Sequence, residues 1–579
     1  MTSDYQLRNI LRKEKEQLAL RQKILAMTSD KALAEILNSD QPAGLVQSFS
    51  EEDLYFLIHE IGLDDALPVI SLAASKQWEY ILDLETWHRD KIDLQSVSKW
   101  MHLFFQADKN RLVHWLMSEK VEWLEYYLFK HIDVRIRQHD EDPSDFDEHH
   151  FTLDDIYYIR FLGNSEKRGQ NESFDDDQYW FEKQFLEHLA EIDHTTYQSL
   201  LIEAMSVLSA EFEEENYRLR NVRLAEKGFV PFDQAIEIYA PITVEAVTGY
   251  GKKSLATGGM DDDRSFSLPP VAMNMKRDSG YFSDALAIIE KDQMFTKIQI
   301  EFATLLNTII SADQEPVRER EQLAGVIKKA AGYLGIGLEI LTGEKEKKIK
   351  KAAAMIQQYQ LAHIFRLGYS RSLKLKFRAN KWVKKSWFKS KGLPLSFWDE
   401  KLMGILGGLL VRHPLFFDNY ETGVLYREFD TLSDISRTEN SLEEIINLDN
   451  LFSLMTIDLK AFSDPRLSYI KLILTLFASH FAGVEPARPI HLGELKVFFQ
   501  KLWGSEENRI KQAGKISEGV RTFFLGWLSD RTGLTSIEIS DQMGKTLETI
   551  FQEMESEYGN VSLDDLDPRF IDLIYLDIP

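Results

Sequence analysis

Apolar residues recur three and four positions apart along most of this chain, and this spacing constrains the fold more than any other feature. A helix turns once every 3.6 residues, so such spacing places apolar side chains on one face that packs against a neighbour. Strand-like alternation is rare, and the 579 residues include only 15 prolines. The sequence therefore predicts an all-α, multi-domain fold in which any strands are short and confined to the neighbourhood of residues 373–378.

Capping boxes mark three predicted helix starts, because a hydroxyl and a carboxylate three residues apart can each accept from the other's backbone amide. They are the pairs Ser50 with Asp53, Ser441 with Glu444, and Thr535 with Glu538. Gly62 is predicted to end the first of these helices. A further helix, capped near Thr342, is predicted to run through Ile349 and to end at Gly368.

The N-terminal region contains a loose internal repeat. Residues 64–87 align with residues 108–130 at an offset of about 44, and periods of about 40–47 are typical of HEAT and armadillo arrays. We therefore predict stacked antiparallel helix pairs over residues 31–134. Coincidence between two amphipathic helix pairs is the alternative interpretation.

Composition divides the rest of the chain. Residues 139–155 hold eight carboxylates and no Lys or Arg, and residues 248–278 are rich in Gly and Asp, so both segments are predicted to be mobile loops. The predicted segments are an N-terminal helical-repeat domain (1–138), an acidic loop region (139–179), a helical segment (180–247), a mobile Gly/Asp-rich loop (248–285), a helical segment ending in a basic island (286–392) and a C-terminal helical domain (393–579).

The chain contains no cysteine, which excludes disulfides, thiolate metal sites and cysteine nucleophiles. The first residues are charged throughout and lack the apolar core of a signal peptide. The apolar run at residues 467–484 is interrupted by Lys471 and His480, which is typical of a buried helix rather than a membrane span. We therefore predict a soluble, cytoplasmic protein without a membrane span.

Motifs that carry chemistry are weak in this sequence. Residues 249–254 resemble a phosphate-binding loop, but Lys253 stands where the motif requires Ser or Thr. Glu85 and His88 have the Glu-x-x-His spacing of ferritin-like di-iron ligands, as do residues 191–194, but neither pair has the further glutamates that such a site needs. We predict that Glu85 and His88 are ordinary surface or boundary residues, and that the chain has no catalytic residue, metal site or cofactor.

One segment reverses the charge of the chain. Residues 345–391 contain 15 Lys or Arg and one acid, whereas the whole chain carries a net charge of −25, so the other 532 residues carry −39. Charge segregation on this scale costs self-repulsion, which a polyanion, a membrane surface or the protein's own acids would relieve.

The second half of this basic island interleaves cations with aromatic residues, as grooves for phosphate backbones and interfacial membrane segments do. The candidate binding residues are Lys374, Lys376, Arg378, Lys381, Trp382, Lys384, Lys385, Trp387 and Lys389. In the alternative interpretation, the aromatic residues of this segment, including Phe388, are buried in the core and the lysines pair with the protein's own acids.

Three stretches resemble known families. Residues 223–242, RLAEKGFVPFDQAIEIYAPI, and residues 392–418, GLPLSFWDEKLMGILGGLLVRHPLFFD, are similar to an uncharacterised family of large bacterial proteins. That resemblance implies a helical fold and brings no catalytic residue with it. Residues 48–70, SFSEEDLYFLIHEIGLDDALPVI, resemble the helical repeats in the cytoplasmic domain of MgtE-type magnesium transporters.

Three hypotheses for function follow. The first is a non-catalytic cytoplasmic interaction or scaffold protein with a protein partner. The second is binding of a polyanion, either nucleic acid or an anionic membrane, through residues 345–391. Salt separates these two, because affinity for phosphates falls steeply with added salt whereas a groove that buries apolar side chains loses little. The third is an enzyme with an unrecognised site.

Overall fold

Helices occupy most of the chain in the computed structural model. The structure describes Gln17, Lys253 and residues 19–146, 150–162, 176–250, 280–289, 294–343, 348–462, 467–484, 487–503 and 514–577. The predicted all-α, multi-helical fold is confirmed.

The helices form two groups along the chain. The first group is α1 (Ser29–Leu37), α2 (Pro42–Gln47), α3 (Glu51–Ile61), α4 (Leu67–Leu72), α5 (Ser75–Glu85), α6 (Leu94–Glu119), α7 (Val121–His131), α8 (Asp176–Ile192), α9 (His194–Ala204) and α10 (Ser209–Glu226). The second group is α11 (Phe232–Ala235), α12 (Val244–Gly249), α13 (Tyr281–Ile289), α14 (Met294–Asp313), α15 (Arg320–Thr342), α16 (Ile349–Gln358), α17 (Leu361–Val383), α18 (Trp387–Ser390), α19 (Asp399–Leu410), α20 (Leu432–Leu454), α21 (Tyr469–Phe481), α22 (Leu492–Leu502), α23 (Glu518–Thr532) and α24 (Ser536–Tyr558).

Within the described residues, short strands form three antiparallel pairs. They are β1 (Trp87–His88) with β2 (Lys91–Ile92), β3 (Ile132–Ile136) with β4 (Tyr157–Phe161), and β5 (Phe416–Phe417) with β6 (Tyr426–Arg427). The prediction that strands lie near residues 373–378 was wrong, because those residues are inside α17. Helix α17 packs against α15, α19 and α20, so it buries both Leu373 and Leu375. Their period-two spacing is therefore no sign of a strand.

Buried side chains form two large hydrophobic cores. The first core runs from Ile24 to Leu224, and the second runs from Ala235 to Ile574. The chain passes from one to the other through α10 and a turn in which Gly228 adopts a φ of +80°, a conformation that favours glycine. The division into six segments stays a prediction.

Two of the three predicted helix starts are confirmed, and the one at Thr535 has the complete capping box. The hydroxyl of Ser50 accepts from the third amide of α3 at 3.1 Å, and the hydroxyl of Thr535 accepts from the third amide of α24 at 3.3 Å. Gly62 ends α3 as predicted. The third prediction was wrong, because Ser441 lies inside α20, which is capped by Thr431 instead. Nothing after Thr431 interrupts the helix, so the earlier cap defines its start.

Gly368 does not end a helix, contrary to the prediction. It lies within α17, and a Cβ added to it would lie 2.0 Å from the carbonyl oxygen of Tyr333 on α15. A Cβ on Gly337 of α15 would lie 2.1 Å from the carbonyl oxygen of Ile364. These glycines allow the backbones of α15 and α17 to approach closely, and the helix break falls at residues 359–360 instead.

Each of the two aligned N-terminal segments contains a helix pair. The first segment holds α4 and α5, and the second holds α7 with the part of α6 that follows a kink at Asp108. Arg111 in that part of α6 donates to the carbonyl oxygen of Ser71 at 2.9 Å and stacks on the ring of Trp78 at 4.2 Å. The two pairs are therefore in contact, while their HEAT-like superposition stays a prediction.

The acidic segment 139–155 connects β3 to β4. Two of its described residues contact β4, since the ring of Phe146 stacks on Tyr158 at 3.7 Å and the amide of Phe151 donates to the carbonyl oxygen of Ile159 at 2.8 Å. The mobility of this segment stays a prediction. The predicted loop at 248–278 lies outside the described residues, apart from the end of α12 and Lys253.

Candidate functional site

Five of the candidate lysines are exposed on α17, on α18 and on the turn between them. They are Lys374, Lys381, Lys384, Lys385 and Lys389, and together they define the basic face. Eleven residues separate the first and fourth of them, which corresponds to about 16 Å along a helix. Within the described part of the chain, none of these five side chains makes a hydrogen bond or an ion pair.

Phe377 adds an apolar group to the basic face. It lies one turn from Lys374 and from Lys381, on the same side of α17, and its side chain is 56% exposed. Large aromatic side chains in the middle of a charged surface are frequent centres of protein interfaces. The basic face therefore combines positive charge with an exposed aromatic ring.

Two of the candidate cations make contacts with other parts of the chain. Lys376 donates to the carbonyl oxygens of Val411 at 2.7 Å and Arg412 at 2.6 Å, which follow the C-terminal end of α19. Partial burial and the charge of Arg412 lower the pKa of Lys376. Arg378 pairs with Glu443 and Glu439 on α20, at 3.0 and 3.6 Å. Arg378 has the acidic partners that the alternative interpretation expects, whereas Lys376 contacts carbonyl oxygens, and the role of both cations in binding stays a prediction.

Trp382 and Trp387 pack into the protein and fasten α17 and α18 to α20. The Trp382 ring stacks on Phe388 and the Trp387 ring stacks on Phe452, with centroids 5.7 and 5.3 Å apart. Burial raises the pKa of Asp449, whose carboxylate accepts from the Trp382 indole at 3.1 Å and from two backbone amides of α18. These contacts cover one ring face of Trp382 and one of Trp387. That the two tryptophans bind a ligand stays a prediction.

Arg412 belongs to the same cationic region, although no sequence pattern indicated it. It is exposed, it adjoins Lys376, and it makes no ion pair within the described residues. It lies 21 positions beyond the basic island, so only the packing of α19 against α17 brings it there. Lys345 and Lys347 of the island lie outside the described residues.

A second cluster of ionisable groups is buried in the second core. Lys329 contacts Asp313 at 3.0 Å and Glu428 at 3.3 Å, and Tyr239 donates to Asp313 at 2.5 Å. Burial raises the pKa of Glu428, while burial and the nearby Lys329 lower the pKa of His413 to about 4. The rings of Tyr239 and His413 lie 4.5 Å apart.

This buried cluster joins the two segments that carry the family resemblance, since Tyr239 belongs to residues 223–242 and His413 to residues 392–418. Its acids are paired with a lysine and a phenol, so the arrangement fixes the core packing. No motif marks it, because its members come from four separate parts of the chain.

Glu85 and His88, which form the first Glu-x-x-His pair, lie in different environments. Glu85 was expected to be an ordinary surface or boundary residue, but it is only 8% exposed and accepts from Arg318 at 2.8 and 2.9 Å and from Tyr55 at 2.5 Å. That prediction was wrong because Arg318, from the second group of helices, supplies the charge that allows burial. His88 is exposed. Among the described residues, no group of three or more His, Asp or Glu side chains is placed to hold a metal ion.

The fold and the basic face define a class of protein, namely a large all-α protein with two hydrophobic cores and an exposed cationic helix. The chain belongs to the family of unknown function DUF6178, whose pattern matches residues 12–577. Comparison with curated proteins and with solved structures gives no significant match. The resemblance of residues 48–70 to MgtE-type transporters is not confirmed. No helix in the described ranges has both the length and the apolar character needed to cross a bilayer.

Proposed function

We propose that this protein is a non-catalytic cytoplasmic interaction or scaffold protein, and that its basic face binds an acidic segment of a partner protein. The observation that carries the proposal is a set of five exposed lysines that have no acidic partner among the described residues, in a chain of net charge −25. Charges beyond a Debye length of about 8 Å are largely screened, so the local positive potential governs encounter with an acidic partner.

A protein partner fits this surface better than a nucleic acid. Stacking of unpaired bases requires open aromatic faces, whereas Trp382 and Trp387 are packed against Phe rings of the protein. The acids Glu439 and Glu443 also border the surface beside Arg378, and they would repel a phosphate backbone. A polypeptide that presents carboxylates to the lysines and an apolar side chain to Phe377 matches both features.

The first core supports a scaffold role. Its helix pairs α4/α5 and α6/α7 contact each other through Arg111, and stacked pairs of this kind provide extended binding surfaces. The HEAT-like and MgtE-like character of this region is part of the proposal. A superposition of residues 64–87 on residues 108–130 in an experimental structure tests it.

The variant Lys381→Ala/Lys384→Ala/Lys385→Ala is expected to weaken capture of the partner about tenfold, because three interfacial charges are lost. The measurement is quantitative affinity capture from the native cell with purified protein. The matched control removes three exposed lysines of the first group of helices and has the same net charge. It is the variant Lys31→Ala/Lys99→Ala/Lys109→Ala, and it is expected to behave as the wild type does.

Nuclease treatment separates the two binding hypotheses. Capture that survives nuclease and that also weakens in Phe377→Ala supports a protein partner, because that variant loses apolar contact area and no charge. Capture that disappears with nuclease favours the polyanion alternative. In that case the triple variant lowers the salt slope by up to about 0.9 per lost phosphate contact on duplex DNA. Equal capture by the wild type, the triple variant and its control contradicts both hypotheses.

A further inference from the structure

A cavity of about 870 Å³ lies between the two groups of helices. Helix α5 and the β1–β2 pair form one wall, α10 and residues 227–232 form a second, and the C-terminal end of α14 with residues 314–318 forms a third. Cavities of about 300–1,000 Å³ at such junctions are typical of small-molecule sites. The cavity is separate from the basic face.

Two of the five acids in the cavity wall are in contact with cations. Glu52 lies 3.6 Å from Lys227, and Glu85 forms a two-point ion pair with Arg318 whose shorter contact is 2.8 Å. Lys227 also contacts Glu51 at 2.7 Å. The other acids that line the cavity are Asp93, Glu226 and Glu315. Recognition of an anion there therefore depends on direct contact with one cation and not on the net charge of the wall.

Arg220 is the cation that the chain leaves incompletely paired. Its Nε donates to the carbonyl oxygen of Asp83 at 2.6 Å, while the Asp83 carboxylate is occupied by Arg223 at 2.7 and 2.8 Å. The terminal nitrogens of Arg220 make no hydrogen bond within the described residues. Its guanidinium lies 5.5 Å from the ring centroid of Trp87, and burial lowers the pKa of Arg220. Desolvated guanidinium groups of this kind recognise carboxylates and phosphates.

Further hydrogen-bond donors line the cavity. Tyr80 is only 7% exposed, yet its hydroxyl makes no hydrogen bond within the described residues, and the side-chain amide of Asn221 makes none either. Both donors are accessible from the cavity, so a ligand that accepts from them gains a hydrogen bond with each. The rings of Trp87 and Tyr217, with centroids 5.8 Å apart, provide aromatic surface beside these donors.

Two strained residues border the same cavity. Arg89 and Gln314 have φ angles of +62° and +58°, in the left-handed region that ordinarily favours glycine. Strain of this kind is concentrated at ligand sites, where the surrounding structure maintains it. Arg89 also adds a second, exposed cation.

We infer that this cavity binds a small organic anion that combines an aromatic ring with a carboxylate, sulfonate or phosphate group. The anionic group pairs with Arg220 and accepts from Tyr80, while the ring contacts Trp87 and Tyr217. Because both groups of helices contribute walls, a bound ligand stabilises their apposition.

The test uses two fluorescent probes of similar size, anionic 8-anilino-1-naphthalenesulfonate and neutral N-phenyl-1-naphthylamine. The wild type is expected to bind one anionic probe per chain, and to bind it about tenfold more tightly than the neutral one, because only the anion pairs with Arg220. Arg220→Gln is expected to lose this preference and to bind the neutral probe as the wild type does. Arg218→Gln removes a solvent-facing arginine of the same helix and is the control. Displacement by adenosine monophosphate or by indole-3-acetate then distinguishes phosphate from carboxylate ligands.

A second variant tests binding in the cavity without changing Arg220. Ala225 is an exposed residue of α10 that lines the cavity, so Ala225→Trp fills space there without disturbing the cores. This variant is expected to abolish binding of the anionic probe while the circular dichroism spectrum is unchanged. Undiminished binding by a folded Arg220→Gln or Ala225→Trp variant overturns the inference.

Discussion

Replacing Gly368 by alanine is expected to lower the free energy of unfolding by about 2–3 kcal/mol. The new Cβ would lie 2.0 Å from the carbonyl oxygen of Tyr333, and neither backbone can yield unless α15 and α17 move apart. The gain in helix propensity from Gly to Ala, about 1 kcal/mol, is too small to offset this overlap. Urea unfolding followed by circular dichroism measures the shift.

Gly325 provides the matched control, because it lies on α15 and a Cβ added there would have no atom within 4 Å. Gly325→Ala is therefore expected to raise the free energy of unfolding by up to about 1 kcal/mol. The same substitution thus has opposite signs at the two sites. Similar midpoints for the two variants would contradict the close approach of α15 and α17.

The fold class was predictable from the sequence because helical periodicity repeats over the whole chain and survives local exceptions. Caps were predictable where a hydroxyl and a carboxylate directly precede the apolar pattern, as at Ser50 and Thr535. The same pattern at Ser441 did not predict a helix start correctly, because capping residues also occur inside helices that began earlier. The prediction of a strand at residues 373–378 failed for a related reason. A helix that is buried on several sides no longer has apolar residues on one face only.

The candidate site was only partly predictable. Local composition identifies the basic island. It cannot separate Lys376 and Arg378, which have partners 35 to 65 positions away, from Lys381, which has none within the described residues. The burial of Glu85 was even less predictable from local sequence, because its partner Arg318 lies 233 positions away. The cavity beside Glu85 likewise exists only where the two groups of helices meet, so no short motif could indicate it.

Glu85→Gln is expected to lower the free energy of unfolding by about 2–3 kcal/mol at pH 7. Removing one partner of a buried ion pair usually costs more than this, but the side chain of Arg318 is 45% exposed and retains part of its hydration. The glutamine amide would also place a donor against Arg318 or Tyr55, both of which donate to Glu85 in the wild type. Chemical unfolding at pH 7 measures the loss.

The loss is expected to shrink as the pH falls. Burial by itself raises the pKa of Glu85, but contacts from His59, Arg318 and Tyr55 outweigh burial and hold the pKa well below its usual range. Because the folded pKa lies below the unfolded value of about 4.3, the ionised carboxylate stabilises the fold above that pH. This stabilisation is lost as the pH falls toward the folded pKa.

The measurement is the difference in unfolding midpoint between the wild type and Glu85→Gln, recorded from pH 7 down to about pH 3, on either side of the unfolded pKa of about 4.3. Glu215→Gln removes an exposed carboxylate that pairs with Arg218 on the surface of α10, and it serves as the control with little expected change at any pH. If the difference in unfolding midpoint stays constant, or grows on acidification, the ionised carboxylate does not stabilise the contact between the two groups of helices. Only an ionised Glu85 can give the large difference at pH 7 that then decreases with acid.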